Sequence, residues 1–402
     1  MAIRVLQARD GEEIKEALRR LEVDPYGIKI MAPKAGVFLF YLAGVSRFAA
    51  NILKQEALSC GGDAALPRKA LTGKGKKTDC ILIASPAQLG RLKEKLLLQP
   101  FGLNNLSREL PAVLDNYLKE EFKLDLGRFK LEPGKKPLVM GIINITPDSF
   151  SSDGLYGKGA GAAAGRALEL CGDGADILDL GGESTRPGVK PVSLKEELKR
   201  VIPALKKIAR TVKVPVSVDT YKPEVARQAL DNGALIINDI SGLRDPAMAK
   251  VCARYKAAVV VMHMQGRPLS MQKNPVYTSL MTDIIGRLAG SMETAAAAGI
   301  DREKIIIDPG IGFGKTVRHN LEILKNLKEL KVLGSPILIG TSRKKFIGEI
   351  LNAETGERLP GTIASCVLAY ANGANIFRVH DVKQIKQALK LSSAALNRIS
   401  YD

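Results

Sequence analysis

Tryptophan is absent from the 402 residues, aromatic residues of all kinds make up 5%, and histidine occurs three times. With no interleaving of aromatic and basic residues and no zinc-finger spacing, the chain lacks the usual marks of a nucleic-acid reader. Its five cysteines (Cys60, Cys80, Cys171, Cys252 and Cys366) stand far apart and form no CxxC pair. An odd, scattered set reads as reduced thiols in a cytoplasmic protein rather than as a disulfide framework. The longest aromatic-apolar run, Ala35–Val45, falls well short of the ~20 residues that a membrane-spanning helix needs. No basic segment followed by an apolar stretch opens the chain, so no secretory signal and no membrane partner are expected.

Acids are also in deficit: 42 Asp and Glu face 60 Lys and Arg, a formal charge of +18. The basic residues are scattered along both halves, often beside Glu on helical stretches, so most of them read as solvated surface. Beyond that surface, an anionic small substrate is expected in preference to nucleic acid. Hydrophobic content of 46% and charged content of 25% are ordinary for a globular protein, and the length suits two domains.

Residues 1–130 read as a small α/β domain of unassigned function. Ile3–Gln7 has strand character, and "DGEEIKEALRRLE" after it is an amphipathic helix with Asp10 as its cap. Val37–Ala43 and Cys80–Ala84 are apolar enough for buried strands, while Pro86–Leu98 and Leu106–Glu121 have helical spacing. "LTGKGKKTD" (Leu71–Asp79) reads as a solvated loop. The stretch "LDLGRFKLEPGKKP" (Leu124–Pro137) marks the boundary, and residues 131–402 form the second domain.

There the pattern becomes a rhythm of short apolar runs and helical stretches. The runs are Leu138–Ile143, Asp176–Leu180, Val214–Val218, Leu235–Asn238, Ala258–Met262, Ile305–Ile307, Pro336–Ile339 and Ile376–Val379. Such runs suit parallel strands buried on both faces, and their number and span predict a (β/α)8 TIM barrel. A doubly wound open sheet has the same period and is the structural alternative.

Each run ends in polar residues: Asn144, the segment from Asp179, Asp219, Asn238 with Asp239, His263, Asp308, Thr341–Lys345, and Arg378 with His380 and Asp381. One Asp after a strand is ordinarily a helix cap. In a barrel, however, all eight endings converge on the catalytic face. Arg186, Arg343, Lys344, Lys345 and Arg378 could hold anionic groups. Asp179, Asp219 and Asp308 could bind an N–H-rich ring or stabilise developing positive charge. Asn144 and its acidic neighbours offer hard oxygen ligands suited to Mg2+ held jointly with substrate phosphates. "DPGIGFGKT" fails as a P-loop because Pro309 stands where the first glycine is needed. "GKGAGAAAG" (Gly157–Gly165) follows a polar loop and so fails as a dinucleotide fingerprint.

The order and wording of eight segments resemble the dihydropteroate synthases. These are "NITPDSFSSDG" (144–154), "GGESTRPG" (181–188), "SVDTYKP" (217–223), "INDISG" (237–242), "MHMQG" (262–266), "DPGIGFGKT" (308–316), "TSRKKFIG" (341–348) and "RVHDV" (378–382). The resemblance runs from about Pro137 to the C-terminus and leaves the first domain uncovered. It implies a transferase of folate biosynthesis that joins 6-hydroxymethyl-7,8-dihydropterin diphosphate to p-aminobenzoate, releasing diphosphate and 7,8-dihydropteroate. By the same resemblance Asp219, Asn238, Asp308 and Lys344 would hold the pterin, with Phe313 also in the substrate site. Asn144, Arg378 and His380 would hold the diphosphate, Mg2+ bridging it to Asn144. Thr185, Arg186 and Ser342 would line the p-aminobenzoate site, Ser342 near a helix N-terminus. Asp219 and Asp153 would stabilise a cationic pterin methylene. The family further implies a cytoplasmic homodimer and a sulfonamide target.

One departure concerns Asp153: the family commonly runs from Ser-Phe-Ser straight to Asp-Gly-Gly, whereas here Ser152 intervenes. Residues 1–130 carry neither the Gly-Ser-Asn opening nor the Asp-rich signature of a hydroxymethyldihydropterin pyrophosphokinase. The alternatives are a pterin-binding methyltransferase and a non-catalytic pterin-binding protein whose work lies in the first domain. "STRPG", "SRKKF" and "RVHD" argue against the former, since they would be idle in methyl transfer. Retention of Asn144, Lys344 and Arg378 argues against the latter.

Overall fold

The computed structural model describes residues 3, 4, 6, 8, 11–72, 75–146, 159–184, 189–266 and 270–396. It divides into two compact units, Met1–Leu118 and Lys119–Asp402.

In the first unit α1 (Gly11–Arg19), α2 (Pro25–Ala35), β1 (Phe38–Ser46), α3 (Arg47–Ser59), β2 (Asp63–Ala65), α4 (Arg68–Leu71), β3 (Lys77–Ala84), α5 (Pro86–Leu96) and α6 (Leu103–Leu118) follow in order. The antiparallel sheet has the order β1-β3-β2. Phe40, Leu82 and Ala84 pack with Leu53, Leu92 and Leu110 of the helices. The strand expected over Ile3–Gln7 does not occur among its described residues, and the proposed cap Asp10 lies outside them. β1 was expected to be buried, but Leu39 is 69% and Tyr41 53% exposed. Alternate side chains leave opposite faces of a strand, and the unit's helices pack on the Phe40 face.

The second unit begins with a hairpin, β4 (Leu124–Asp125) and β5 (Lys130–Leu131). Its turn includes Gly127 at φ +75°, whose N–H donates to Asp125 Oδ1 at 2.8 Å. The boundary therefore falls after Leu118, ahead of the Leu124–Pro137 stretch. Gly and Pro there mark a hairpin turn rather than a linker, and Leu124 and Leu126 are buried against barrel residues Leu138, Met140, Val260 and Ile376.

Eight parallel strands follow: β6 (Leu138–Asn144), β7 (Ile177–Gly181), β8 (Val216–Asp219), β9 (Ile236–Asp239), β10 (Ala258–Met262), β11 (Ile305–Asp308), β12 (Leu338–Ile339) and β13 (Ile376–Val379). They alternate with α7 (Gly159–Gly172), α8 (Leu194–Thr211), α9 (Pro223–Asp231), α10 (Pro246–Arg254), α11 (Leu280–Ala297), α12 (Val317–Lys325), α13 (Lys345–Leu351), α14 (Leu359–Ala371) and α15 (Val382–Ala395). The strand order is β11-β10-β9-β8-β7-β6-β13-β12. A parallel bridge between Ile307 and Ile337, with Ile307 N–H donating to Pro336 O at 3.0 Å, joins the last strand to the first. The sheet is thus a closed (β/α)8 barrel rather than an open doubly wound sheet. Val139, Leu178, Val218, Ile237, Val261, Ile307 and Phe377 face outward into the helical layer, while residues of opposite parity fill the interior.

Candidate active site

On several strands the inward series starts apolar and ends polar. On β6 it runs Leu138, Met140, Ile142, Asn144, and on β13 it runs Ile376, Arg378, with His380 just beyond. The same parity brings Asp219, Asn238, Asp308 and Ser342 to the C-terminal ends of β8, β9, β11 and β12. A cavity of about 1040 Å³ opens there. Of the residues anticipated from sequence, Asn144, Asp219, Asn238, Asp308, Phe313, Ser342, Lys344, Arg378 and His380 all line it. Asp153, Thr185 and Arg186 lie outside the described residues.

An ion-pair system forms the cavity floor. Arg378 Nε donates to Asp179 Oδ2 at 2.6 Å and Nη2 donates to Asp219 Oδ2 at 2.8 Å. Asn238 Nδ2 donates to the same Asp179 oxygen at 3.1 Å. Burial pushes the Asp219 carboxyl up to about 7, opposed by the Arg378 charge and reinforced by Asp179. Its Oδ1 is buried with no hydrogen-bond partner among the described residues. Burial also raises the Asp308 carboxyl, although its Oδ1 accepts the Gly310 N–H at 2.6 Å. Asp179 was expected to meet substrate. Instead it is 0% exposed and stands behind the cavity wall, because the inward series on β7 reaches it one pair of residues below the strand tip.

The 308–316 loop shapes one wall. Gly310 has φ +68°, and a side-chain carbon there would meet His263 O at 2.0 Å, so only glycine fits. Lys344, half-buried, donates to Ile311 O and lies over the Phe313 ring at 4.5 Å, a cation–π contact. Burial draws its ammonium down to about 8. Between Ser342 and Lys344, Arg343 adopts φ +54°, a strained conformation for a residue with a long side chain. Several bonds hold it there. Its N–H donates to Thr362 Oγ1 at 3.1 Å, its O accepts Arg358 Nη1 at 3.1 Å, and its guanidinium forks onto Asp381 at 3.0 and 2.5 Å. Arg343 and Lys345 were expected to hold anions. Both line the cavity, where Arg343 is also engaged with Asp381, and Lys345, 87% exposed, also pairs with Glu349 at 3.0 Å. Ser342 Oγ lies 3.0 Å from His380 Nδ1.

Two networks escaped the sequence reading. Lys222 binds Glu183 at 2.5 Å, Glu197, and Val192 O at 2.9 Å, while Tyr221 donates to Glu183 at 2.9 Å. Lys315 Nζ lies 2.9 Å from His263 Nδ1 and donates to Phe313 O at 3.0 Å. The only local signal for the second is the Lys that follows "GFG" in the 308–316 segment.

Among the described residues no group of three or more His, Cys, Asp or Glu could hold a metal ion. Asn144 presents an amide oxygen at the tip of β6, in a cavity lining that also includes the carboxylates of Asp219 and Asp308. That one oxygen fits Mg2+ bound mainly through substrate phosphates and water, and does not fit an all-protein cage.

The model of pterin binding enzymes matches residues 140–380. The dihydropteroate synthase of Bacillus subtilis is 47% identical over 265 residues, 66% of this chain and 90% of that protein. A probable bifunctional folylpolyglutamate synthase/dihydropteroate synthase of Halobacterium salinarum is 39% identical over 389 residues, 95% of this chain and 46% of that protein. That second match takes in the N-terminal unit. The crystal structure of the Yersinia pestis dihydropteroate synthase with a sulfonamide drug superposes with a TM-score of 0.66 at 41% identity, covering 69% of this chain and 100% of that one. Because the family match reaches from the first barrel strand to the last, the chain belongs to the dihydropteroate synthase family of pterin-binding enzymes.

Proposed function

We propose that the chain condenses 6-hydroxymethyl-7,8-dihydropterin diphosphate with p-aminobenzoate, giving 7,8-dihydropteroate and diphosphate for folate synthesis. The observation that carries this reading is the Arg378 guanidinium held between Asp179 and Asp219 in the cavity floor. It sets an anion-binding cation against the carboxylate that must face developing positive charge. Asp219, Asn238, Asp308 and Lys344 hold the pterin. Asp308 suits the guanidine-like ring edge, since one carboxylate accepts two parallel N–H bonds. Asn144, Arg378 and His380 hold the diphosphate. Ser342, with Thr185 and Arg186, lines the p-aminobenzoate end. α13, which follows Ser342, has seven residues, so its dipole contributes little there.

Mg2+, held by Asn144 together with diphosphate oxygens, would supply Lewis-acid stabilisation of the leaving group. As the diphosphate draws the Arg378 guanidinium toward itself, Asp219 is left with less compensation for its charge. Its carboxylate then stabilises the pterin methylene as the C–O bond breaks, with Asp153 assisting. The aryl amine attacks that carbon to form the new C–N bond and gives up one N–H proton, which is carried off by solvent or the departed diphosphate.

The protein acts in the cytoplasm as a homodimer without nucleic-acid or membrane partners, and sulfonamides compete at the p-aminobenzoate end. The five cysteines are free thiols, and among the described residues no helix is long and apolar enough to cross a membrane. The test is diphosphate release by the full chain with each substrate alone and with both. Release that does not depend on p-aminobenzoate would refute the reading.

A further inference from the structure

We infer that Asp179 is a positioning residue for this reaction, one buried oxygen setting two substrate-facing groups on different strands. Asp179 Oδ2 accepts both Arg378 Nε at 2.6 Å and Asn238 Nδ2 at 3.1 Å. The residue on β7 thereby couples β13, which presents the diphosphate-binding guanidinium, to β9, which presents the pterin-binding amide. Asp179 itself is 0% exposed and does not border the cavity. Its other oxygen, Oδ1, is buried without a hydrogen-bond partner among the described residues. Burying a carboxylate in this way is costly unless its charge is matched, and Arg378 supplies that match.

The geometry separates two properties. An amide oxygen at the same place could accept both donors, so Asp179→Asn keeps the positions and loses the charge. Asp179→Ala removes the acceptor and frees Arg378 Nε and Asn238 Nδ2 to swing.

The inference rests on the proposed synthase reaction, and kinetics on the full chain keep the two separable. Loss of p-aminobenzoate-dependent release from the wild type would refute the reaction itself. With the wild type active, Asp179→Ala is expected to raise KM for the dihydropterin diphosphate by about tenfold or more, the scale of a lost hydrogen bond to a charged group. KM for p-aminobenzoate stays within about twofold, and Asp179→Asn recovers most of the loss. An Ala variant with wild-type KM for the pterin substrate, or an Asn variant as impaired as Ala, overturns the proposal. A measurement on the folded wild type covers the case in which Ala fails to fold. The Arg378 Nε proton should resonate downfield, protected from solvent exchange, and move upfield in Asp179→Asn. An unprotected Nε proton in the wild type also overturns the proposal.

Discussion

Lys315 Nζ lies 2.9 Å from Nδ1 of His263, two basic groups in direct contact with both side chains buried. Burial moves the two in the same direction, Lys315 down to about 7 and His263 down to about 3. The histidine is therefore a neutral acceptor, and the amine is a donor that gives up its proton readily. The folded-state pKa of Lys315 lies below the ordinary 10.5, so the unfolded chain binds that proton more tightly. Stability accordingly rises with pH between about 7 and 10.5 and is lost as pH falls through that window. Denaturant unfolding at several pH values should show a slope that Lys315→Met makes shallower, by at most on the order of 1.4 kcal/mol per pH unit, the buried Lys344 contributing part of what is left. Parallel slopes in the two proteins would exclude this role.

Asp219 must be ionised to stabilise a cation, yet burial holds its carboxyl near 7. In the free enzyme kcat/KM should therefore fall as pH drops below about 7, by up to tenfold per unit. Asp219→Asn should lower kcat by about 100-fold or more and abolish that acidic limb. A limb that survives in the variant belongs to another group.

Asn144→Ala should act through the metal. The Mg2+ concentration giving half-maximal turnover is expected to rise roughly tenfold, while pterin binding without diphosphate is unchanged. Full turnover at limiting Mg2+ would remove Asn144 from the metal site.

Lys222 neutralises Glu183 and Glu197, whose side chains are 6% and 1% exposed. Lys222→Met leaves both buried charges without their cation and should cost about 3 kcal/mol. Glu183 and Val192 bracket Thr185 and Arg186 in sequence, so KM for p-aminobenzoate should rise as well. Thermal melts with substrate titrations check both effects, and an unchanged KM would confine Lys222 to stability.

Leu124 is 1% exposed and packs on the barrel residues opposite the cavity. Leu124→Ala should cost about 2–5 kcal/mol in urea unfolding. Turnover per folded molecule should stay unchanged, because the cavity lies at the other end of the strands.

Much of the barrel was legible from local order. Ala258–Met262 and Ile376–Val379 have the same bounds in the sequence pattern and in the structure. The two-residue period also puts Leu138, Met140, Ile142 and Asn144 on one face of their strand, while closure of the barrel decided that this face turns inward. What local order could not convey were pairings between distant residues. Closure depends on Ile307 meeting Ile337, and the hairpin's allegiance depends on Leu124 finding Leu138 and Ile376. Asp179 reads as one more acid after a strand until Arg378, 199 residues away, is seen to bind it. The same holds for Lys315 with His263, 52 residues apart. Sequence alone determined which residues could enter the barrel, because period and chemistry are local. Only the tertiary structure decided which of them meet substrate and which hold those that do, because desolvation and ion pairing depend on neighbours that the chain brings together only by closing.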